Sequence, residues 1–247
     1  MGSRRRSRAL TLIAQRGPLS VEADPDRPSG RLLRQAGMEA SYIDLADERH
    51  LGFDYLRWMR SALTSARAHT VLHIGGAGCA LPRALAAADP TSRQEVWELD
   101  PDVVAFARTH LGLRRAPGLR VRVGDGATAL AALAGAGATR DAVVIDAFLG
   151  ARVAPGPTTP GALVHAAAIA PLCLVNVVDD RGGHELARVA AGLGEAYARV
   201  WAISGRSHNT VLGADRPGAE DGAAVDLTRL GPALARDPSP ASVRELS

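Results

Sequence analysis

The feature that most constrains this chain is residues 70–100, whose pattern predicts a strand, a glycine turn, a helix and a second strand. The turn holds Gly75, Gly76 and Gly78, and glycine lets a backbone approach a ligand closely. The second strand presents Glu98 at its carboxyl end, where an acid accepts hydrogen bonds from ribose hydroxyls. This pattern is typical of the nucleoside-binding half of a doubly wound parallel sheet.

Strand and helix patterns alternate regularly beyond this stretch. Strands are predicted at 71–75, 95–99, 119–123, 142–146 and 172–177, and helices at 79–88, 101–111, 127–133, 161–168 and 184–196. The runs 197–204 and 209–214 have no helix between them, which predicts an antiparallel pair that closes the sheet. Short βα units form a parallel sheet with helices on both faces, so the predicted fold class is α/β and Rossmann-like.

The segments on either side of this alternation have a different pattern. Residues 9–48 hold short apolar runs between polar turns, which predict a small antiparallel hairpin layer, and 47–66 has the apolar spacing of a helix. From Asp215 onward the chain is rich in Pro, Gly and Asp, with one short helical pattern at 227–234. The predicted division is a hairpin region at 1–48, a Rossmann-like nucleoside-binding domain at 49–214 and an irregular tail at 215–247.

Composition and charge narrow the range of partners. The chain has 247 residues, of which 47% are hydrophobic, and no apolar run approaches the ~20 residues of a membrane span. A basic cluster lies at 4–8, but aromatic residues make up only 4% of the chain, which argues against a base-stacking surface for nucleic acid. The sequence predicts neither a membrane nor a nucleic-acid partner.

The cysteines and histidines indicate the cellular compartment of the protein and whether a metal site is expected. Cys79 and Cys173 lie far apart and form no disulfide framework. The basic start has no credible signal-peptide cleavage site after it, so a reduced cytoplasmic setting is predicted. The seven histidines show no metal-ligand spacing, and no metal is expected.

Acids and glycines stand at successive predicted strand ends: the glycine turn, Glu98, Asp125 with Gly126, and Asp146. The carboxyl ends of parallel strands share one edge of a sheet, so these groups are expected to converge on one crevice. Glu98 suits a ribose diol, and Asp125 suits an adenine amino group because a carboxylate accepts from N–H donors. Asp146 is expected beside the reacting end of such a ligand.

Each acid also has a structural interpretation. We interpret Asp100 as a helix N-cap, and Asp125 is placed to cap the helix that follows it. Asp146 has Arg140 and Arg152 as potential ion-pair partners. Singly, these acids fit a structural role about as well as a functional one. Together, at successive strand ends, they favour a nucleoside site.

Two nucleoside classes compete for this site. A dinucleotide fingerprint requires Gly or Ala at its last position, where this chain has Leu81. The positions of Asp125 and Asp146 instead suit an adenosyl sulfonium such as S-adenosylmethionine, and NAD(P) is ranked second.

Four residues are candidates for contact with a second substrate. Tyr42 and Tyr55 are expected where the hairpin layer and the first helix overhang the site, although packing in the core fits them equally. Asn176 lies near the end of the fifth predicted strand, and Phe148 belongs to a proline-rich loop expected to cover the site.

Six motifs in order carry a resemblance to a known family. They are DPDRP at 24–28, SYIDLAD at 41–47, the segment 71–83, ELD at 98–100, GDG at 124–126 and VIDAF at 144–148. On these motifs the sequence resembles the spermidine synthase family, especially its actinobacterial spermidine-synthase-like members, over 9–214. The resemblance implies an N-terminal β-hairpin domain on a class I methyltransferase-like Rossmann domain, assembled as a homodimer or a larger oligomer.

The same resemblance implies aminopropyl transfer from decarboxylated S-adenosylmethionine to putrescine. It assigns the ribose to Glu98, the adenine to Asp125 and the catalytic carboxylate to Asp146. The role of Asp146 is physically reasonable, because an attacking amine must lose a proton and a carboxylate can accept it while holding the amine in line.

Three positions depart from the family pattern. The turn is GGAGCA, with Gly78 where the family has an aspartate, Leu149 replaces the second acid of the loop, and Ala40 replaces a glutamine of the hairpin. Two buried ammonium groups need acids beside them, because an unpaired buried charge is costly. The sequence therefore predicts adenosyl binding, with either S-adenosylmethionine or its decarboxylated form as co-substrate, and a small-molecule acceptor. The alternative is a catalytically silent nucleoside-binding subunit with a regulatory or assembly role.

Overall fold

The computed structural model describes residues 9–114, 118–150, 152–178, 182–217 and 224–246. The chain begins with four antiparallel strands, β1 (Thr11–Arg16), β2 (Leu19–Asp24), β3 (Arg27–Gln35) and β4 (Met38–Asp44), paired in that order. Ala36 and Gly37 both have positive φ, at 50° and 81°, and form the two-residue turn between β3 and β4. Two positive φ values match the right-handed twist of a hairpin. The predicted hairpin layer is confirmed.

The remaining elements are α1 (Asp54–Ser65), β5 (Thr70–Gly75), α2 (Ala80–Ala88), β6 (Arg93–Glu98), α3 (Pro101–His110), β7 (Leu119–Val123), α4 (Gly126–Gly135), β8 (Ala142–Asp146), β9 (Phe148–Leu149), β10 (Arg152–Val153), α5 (Pro160–Ile169), β11 (Leu172–Val178), α6 (His184–Ala196), β12 (Arg199–Ser204), β13 (Asn209–Asp215), α7 (Leu227–Ala235) and β14 (Ser242–Leu246). After the hairpin layer, helices and strands alternate up to α6, except that two short strands, β9 and β10, lie between β8 and α5. A short 3₁₀ turn, Gly156–Thr158, precedes α5.

One eight-stranded sheet organises the molecule, in the order β14-β12-β13-β11-β8-β5-β6-β7. The strands β5, β6, β7, β8 and β11 are parallel, and β13 runs antiparallel between β11 and β12. The strand order reverses at β5, because the chain continues to β6 on one side and later returns to β8 on the other. Ligands bind beyond the carboxyl ends of the strands at such a switch point. Here that point places Gly75 beside Asp146.

Two apolar cores cover the two faces of this sheet. On one face the hairpin layer and α1 to α3 enclose Trp58, Met59 and Leu63 of α1, all fully buried. On the other face α4, α5 and α6 bury Leu130, Leu163 and others. Strand side chains alternate between these cores, as the pleat of a β-strand requires. No helix in the part of the chain described is long and apolar enough to cross a membrane.

Two expectations about element positions were wrong. The helix expected from residue 47 begins only at Asp54, because the preceding segment packs on β4: a Cβ on Gly52 would lie 2.6 Å from the ring of Tyr42. The pair β12–β13 does not close the sheet, because β14 adds to the outer edge of β12. The segment expected to be an irregular tail thus contains the predicted short helix, α7, and a strand that the sequence did not reveal. That strand has mostly exposed side chains and no apolar alternation.

Candidate active site

A cleft of about 740 Å³ lies at the carboxyl ends of the parallel strands, between the main sheet and the hairpin layer. Its walls are the turn after β5, the ends of β6, β7 and β8, the start of α1, the β3–β4 hairpin tip and the loop that follows β8. Small-molecule sites commonly have volumes of ~300–1,000 Å³, so the cleft is large enough for a nucleoside and an acceptor together.

The glycine turn approaches the end of β8 closely. Gly75 and Gly76 have φ of +79° and +110°, a region that side chains rarely enter. A Cβ on Gly75 would lie 2.5 Å from the main-chain oxygen of Asp146. Gly75 is therefore required both by its backbone angles and by its contact with β8, and this contact keeps the turn at the cleft.

Glu98 is held at the floor of the cleft by two backbone donors. Its Oε2 accepts from the N–H of Ala77 at 3.2 Å, and its Oε1 accepts from the N–H of Asp100 at 3.1 Å. Burial raises the pKa of Glu98, and these hydrogen bonds oppose the rise. The glycine turn therefore helps to orient the Glu98 carboxylate, as the sequence pattern predicted. Each carboxylate oxygen keeps a lone pair that can accept a hydrogen bond from a hydroxyl.

Asp125 is both a helix cap and a residue of the cleft. Its Oδ1 accepts from the N–H of Thr128 at 2.7 Å and from the Thr128 hydroxyl at 2.8 Å, so Asp125 caps α4. These hydrogen bonds lower the pKa of Asp125. The capping interpretation of Asp100 also holds, since its side chain accepts from the N–H of Asp102 at 2.8 Å. Gly126 packs on Ile74, whose Cγ2 would lie 2.2 Å from a Cβ at that position.

Asp146 is held by donors from two other elements. Tyr55 of α1 donates its hydroxyl to Oδ2 at 3.1 Å, and Asn176 of β11 donates its Nδ2 to Oδ1 at 2.9 Å. Burial raises the pKa of Asp146, and the two hydrogen bonds oppose the rise. Arg140 does not pair with this acid, because it binds Glu95 at 2.7 Å.

The second-substrate candidates divide into two groups. Tyr55, Phe148 and Asn176 line the cleft. Tyr42 does not, because its hydroxyl donates to Asp24 at 2.7 Å and its ring packs against the segment before α1. Burial and the Asp24 contact raise the pKa of Tyr42. Tyr42 therefore stabilises the hairpin layer and makes no contact with the cleft.

Gly78 also lies outside the cleft. It is buried, and a Cβ there would lie 2.8 Å from the Oγ of Ser41 and 3.0 Å from the Cδ1 of Leu111. Among the three turn glycines assigned to ligand binding, it is the one with a packing role against the hairpin layer. An acid at this position does not fit the observed packing.

Several residues of the cleft were not predicted. Glu39 and Asp54 bring two acids from the hairpin tip and the start of α1, Phe53 and Trp97 bring aromatic rings, and Asn209 brings an amide. No short-range pattern marks them: Glu39, Phe53 and Asp54 reach the site through the docking of the hairpin layer and the start of α1. Trp97 and Asn209 reach it through the positions of β6 and β13 in the main sheet.

Five carboxylates line the cleft, and the described lining contains no arginine or histidine. They are those of Glu39, Asp54, Glu98, Asp125 and Asp146. A concave surface with charges of one sign attracts ligands of the opposite sign. The described residues include no group of three or more His, Cys, Asp or Glu side chains placed to hold a metal ion.

Comparisons with solved structures identify the fold. A probable spermidine synthase from Corynebacterium glutamicum ATCC 13032 matches with a TM-score of 0.77 and 24% identity, over 92% of this chain and 87% of that one. Human methyltransferase-like protein 13 in complex with SAH matches at 0.64 and 21%, over 74% and 91%. A spermidine synthase in complex with the transition-state analogue AdoDATO matches at 0.65 and 14%, over 89% and 78%.

No protein-family model matches the chain, and no curated protein matches it. Likeness at these identities establishes the fold. The predicted class, an α/β Rossmann-like sheet of the class I methyltransferase type with a small N-terminal hairpin layer, is confirmed, and structures of spermidine synthases share it.

Proposed function

We propose that this chain is a transferase that takes its donor from the adenosyl sulfonium class and passes an aminopropyl, methyl or other alkyl group to a small amine. The proposal is carried by the convergence of Glu98, Asp125 and Asp146 at successive strand ends in one cleft beside the glycine turn. The ligands of similar structures support the donor class, because SAH and AdoDATO both carry an adenosyl group next to sulfur.

Each of the three acids has a distinct part in this proposal. Glu98, already oriented by two backbone donors, accepts from the ribose hydroxyls. Asp125 keeps its Oδ2 for an N–H of the base, because both of its hydrogen bonds to Thr128 use Oδ1. Ionised carboxylates make the stronger, charge-assisted kind of hydrogen bond to such donors.

Asp146 is the proton acceptor of the proposed reaction. As the acceptor nitrogen forms its new bond to carbon, the carbon–sulfur bond of the donor breaks and its electron pair leaves on sulfur. The nitrogen attacks as the neutral amine, because Asp146 first takes up a proton from the bound ammonium group and frees the nitrogen lone pair. Burial raises the pKa of this carboxyl and makes it a better base than an exposed aspartate, while Tyr55 and Asn176 hold it in position.

The lining of the cleft supports an amine acceptor that carries an apolar group. The carboxylates favour a cation, but no acid is present at Gly78 or Leu149 for a second ammonium group. Leu149 is 71% exposed at the cleft, and Met38 and Phe53 add apolar surface on the hairpin side. An acceptor with one ammonium group and an apolar arm matches this distribution better than a short diamine does.

The test measures binding and product separately. Calorimetry with S-adenosylmethionine, decarboxylated S-adenosylmethionine and their nucleoside products measures affinity. Incubation of each donor with a panel of amines, followed by mass spectrometry, then identifies the chemistry: methylthioadenosine indicates aminopropyl transfer and S-adenosylhomocysteine indicates methyl transfer. Failure to bind any adenosyl compound would contradict the proposal.

The absence of acids at Gly78 and Leu149 also favours a second candidate, a nucleoside-binding subunit without turnover. Asp146→Asn distinguishes the two. For an enzyme, the variant should retain nucleoside affinity and lose ~10²–10⁴-fold in rate, the usual range for a proton acceptor. Tight binding by the wild type with no product from any amine would support the silent subunit instead.

A further inference from the structure

A chain of side-chain hydrogen bonds crosses three neighbouring strands behind the proposed proton acceptor. Asn209, the first residue of β13, donates its Nδ2 to the Oδ1 of Asn176 on β11 at 3.0 Å. Asn176 in turn donates its Nδ2 to the Oδ1 of Asp146 at the end of β8 at 2.9 Å. The strands β13, β11 and β8 are adjacent in the sheet, so the two amides form a relay that ends at the carboxylate.

The chemistry of the groups determines the direction of this relay. An ionised carboxylate only accepts hydrogen bonds, so Asn176 must present its NH₂ end to Asp146. Its oxygen then faces Asn209 and requires a donor there, which the NH₂ of Asn209 supplies. Asn176 is only 1% exposed, so water cannot readily replace either neighbour. A reversed Asn176 amide would set an oxygen against the carboxylate.

We propose, on the basis of the proposed function, that Asn209 is a positioning residue. By donating to Asn176, it stabilises the orientation in which the NH₂ end of that buried amide faces Asp146, and it thereby helps to hold the carboxylate ionised and in one orientation for proton transfer. Asn209 acts through Asn176 and not by direct contact with the carboxylate. Asn209 lies on β13, whereas the glycine turn and the three acids follow β5, β6, β7 and β8.

The other titratable groups near Asp146 remain the same when Asn209 is changed. Tyr55 of α1 contacts the carboxylate directly. His73 of β5 borders a small cavity that Tyr55 and Asp146 also line, and its ring bonds to Gln94 at 2.9 Å. The remaining charged groups of the described cleft are Glu39, Asp54, Glu98 and Asp125. These groups are present in wild type and in the Asn209 variants, so a difference in the titration of Asp146 between them reports on the relay.

The experiment follows the titration of Asp146 by the ¹³C resonance of its carboxyl group, assigned with the Asp146→Asn variant. It compares wild type with Asn209→Leu, which removes the donor without adding charge, and Asn209→Ala, which leaves room for water to act as donor. The matched control is Thr210→Val, the next residue of β13. We expect the midpoint to rise by about half to one pH unit in the leucine variant and by less in the alanine variant, since a hydrogen bond to the charged form is weakened. The control should not change it.

An unchanged Asp146 midpoint in both folded Asn209 variants would overturn the proposal, even if their activity fell. The titration needs neither donor nor turnover, so it stands apart from the proposed function. If the midpoint of Asp146 shifts in a protein that transfers no group, the relay is supported and only the proposed transferase function is contradicted. If turnover is found, the acidic limb of the rate profile should move with the midpoint.

Discussion

A methyl group on Gly75 would lie 2.5 Å from the main-chain oxygen of Asp146 and 2.9 Å from the Cα of Ala147. The turn that begins the nucleoside side of the cleft therefore touches the backbone that carries the proposed proton acceptor. Because both contacts are to backbone, neither can be relieved by moving a flexible side chain. The position of the glycine turn therefore cannot change without a change in the position of the Asp146 backbone.

Gly75→Ala should disturb this contact. The variant combines a φ of +79° with an overlap on β8, so we expect a loss of ~1–3 kcal/mol in the free energy of unfolding and weaker binding of adenosyl compounds. Gly135→Ala is the control, because a Cβ at that helix residue has nothing within 4 Å. Chemical denaturation of both variants measures the difference. Equal stabilities would contradict the close contact.

Glu98→Gln should weaken nucleoside binding. Hydrogen bonds to a charged group contribute ~1.5–3 kcal/mol, so we expect affinity for adenosyl compounds to fall by roughly ten- to a hundred-fold. Glu95→Gln on the same strand is the control, because Glu95 pairs with Arg122 and Arg140 and does not line the cleft. Calorimetry with S-adenosylhomocysteine makes the comparison. An affinity loss confined to the Glu95 variant would exclude Glu98 as the ribose ligand.

Introducing an aspartate at Leu149 and at Gly78, the two positions without the expected acid, should have different effects on the protein. Leu149→Asp places a carboxylate at an exposed rim of the cleft, so we expect a stable protein with a higher rate toward diamines relative to monoamines. Gly78→Asp forces a charge against Ser41 and Leu111, so a loss of several kcal/mol is expected.

Val123→Asp, exposed and outside the cleft, is the control for added charge in this experiment. Initial rates with paired amines and thermal melting measure the two effects. A stable Gly78→Asp protein would show that the turn repacks easily. An unchanged amine preference in Leu149→Asp would separate the loop from acceptor selection.

His73 should make stability depend on pH. Burial lowers its pKa from 6.5 to about 4, so the folded protein keeps this side chain neutral where the unfolded chain would protonate it. The contribution is complete above pH ~6.5 and is lost as the pH falls towards 4, at up to ~1.4 kcal/mol per pH unit. His73→Leu should show a shallower fall over this window in denaturation experiments, with His208→Leu at an exposed position as the control. Identical slopes in wild type and His73→Leu would contradict this assignment.

Much of the fold could be predicted from local pattern. Each predicted parallel strand and its following helix appears within two or three residues of its expected bounds, because apolar periodicity and turn residues act over short distances. The start of α1 was missed because it depends on the contact between Gly52 and Tyr42. The strand β14 was missed because pairing with β12 creates it, without an apolar face of its own.

The sequence by itself determined the strand ends at which Glu98, Asp125 and Asp146 stand, since a turn residue and an acid after an apolar run are local features. Only the tertiary structure decided which polar groups meet there. Tyr55 reaches Asp146 across 91 residues, and Asn209 reaches Asn176 because β13 inserts between β11 and β12. The physical reason is range: periodicity and capping act between near neighbours, whereas hydrogen bonds between elements depend on strand order and docking.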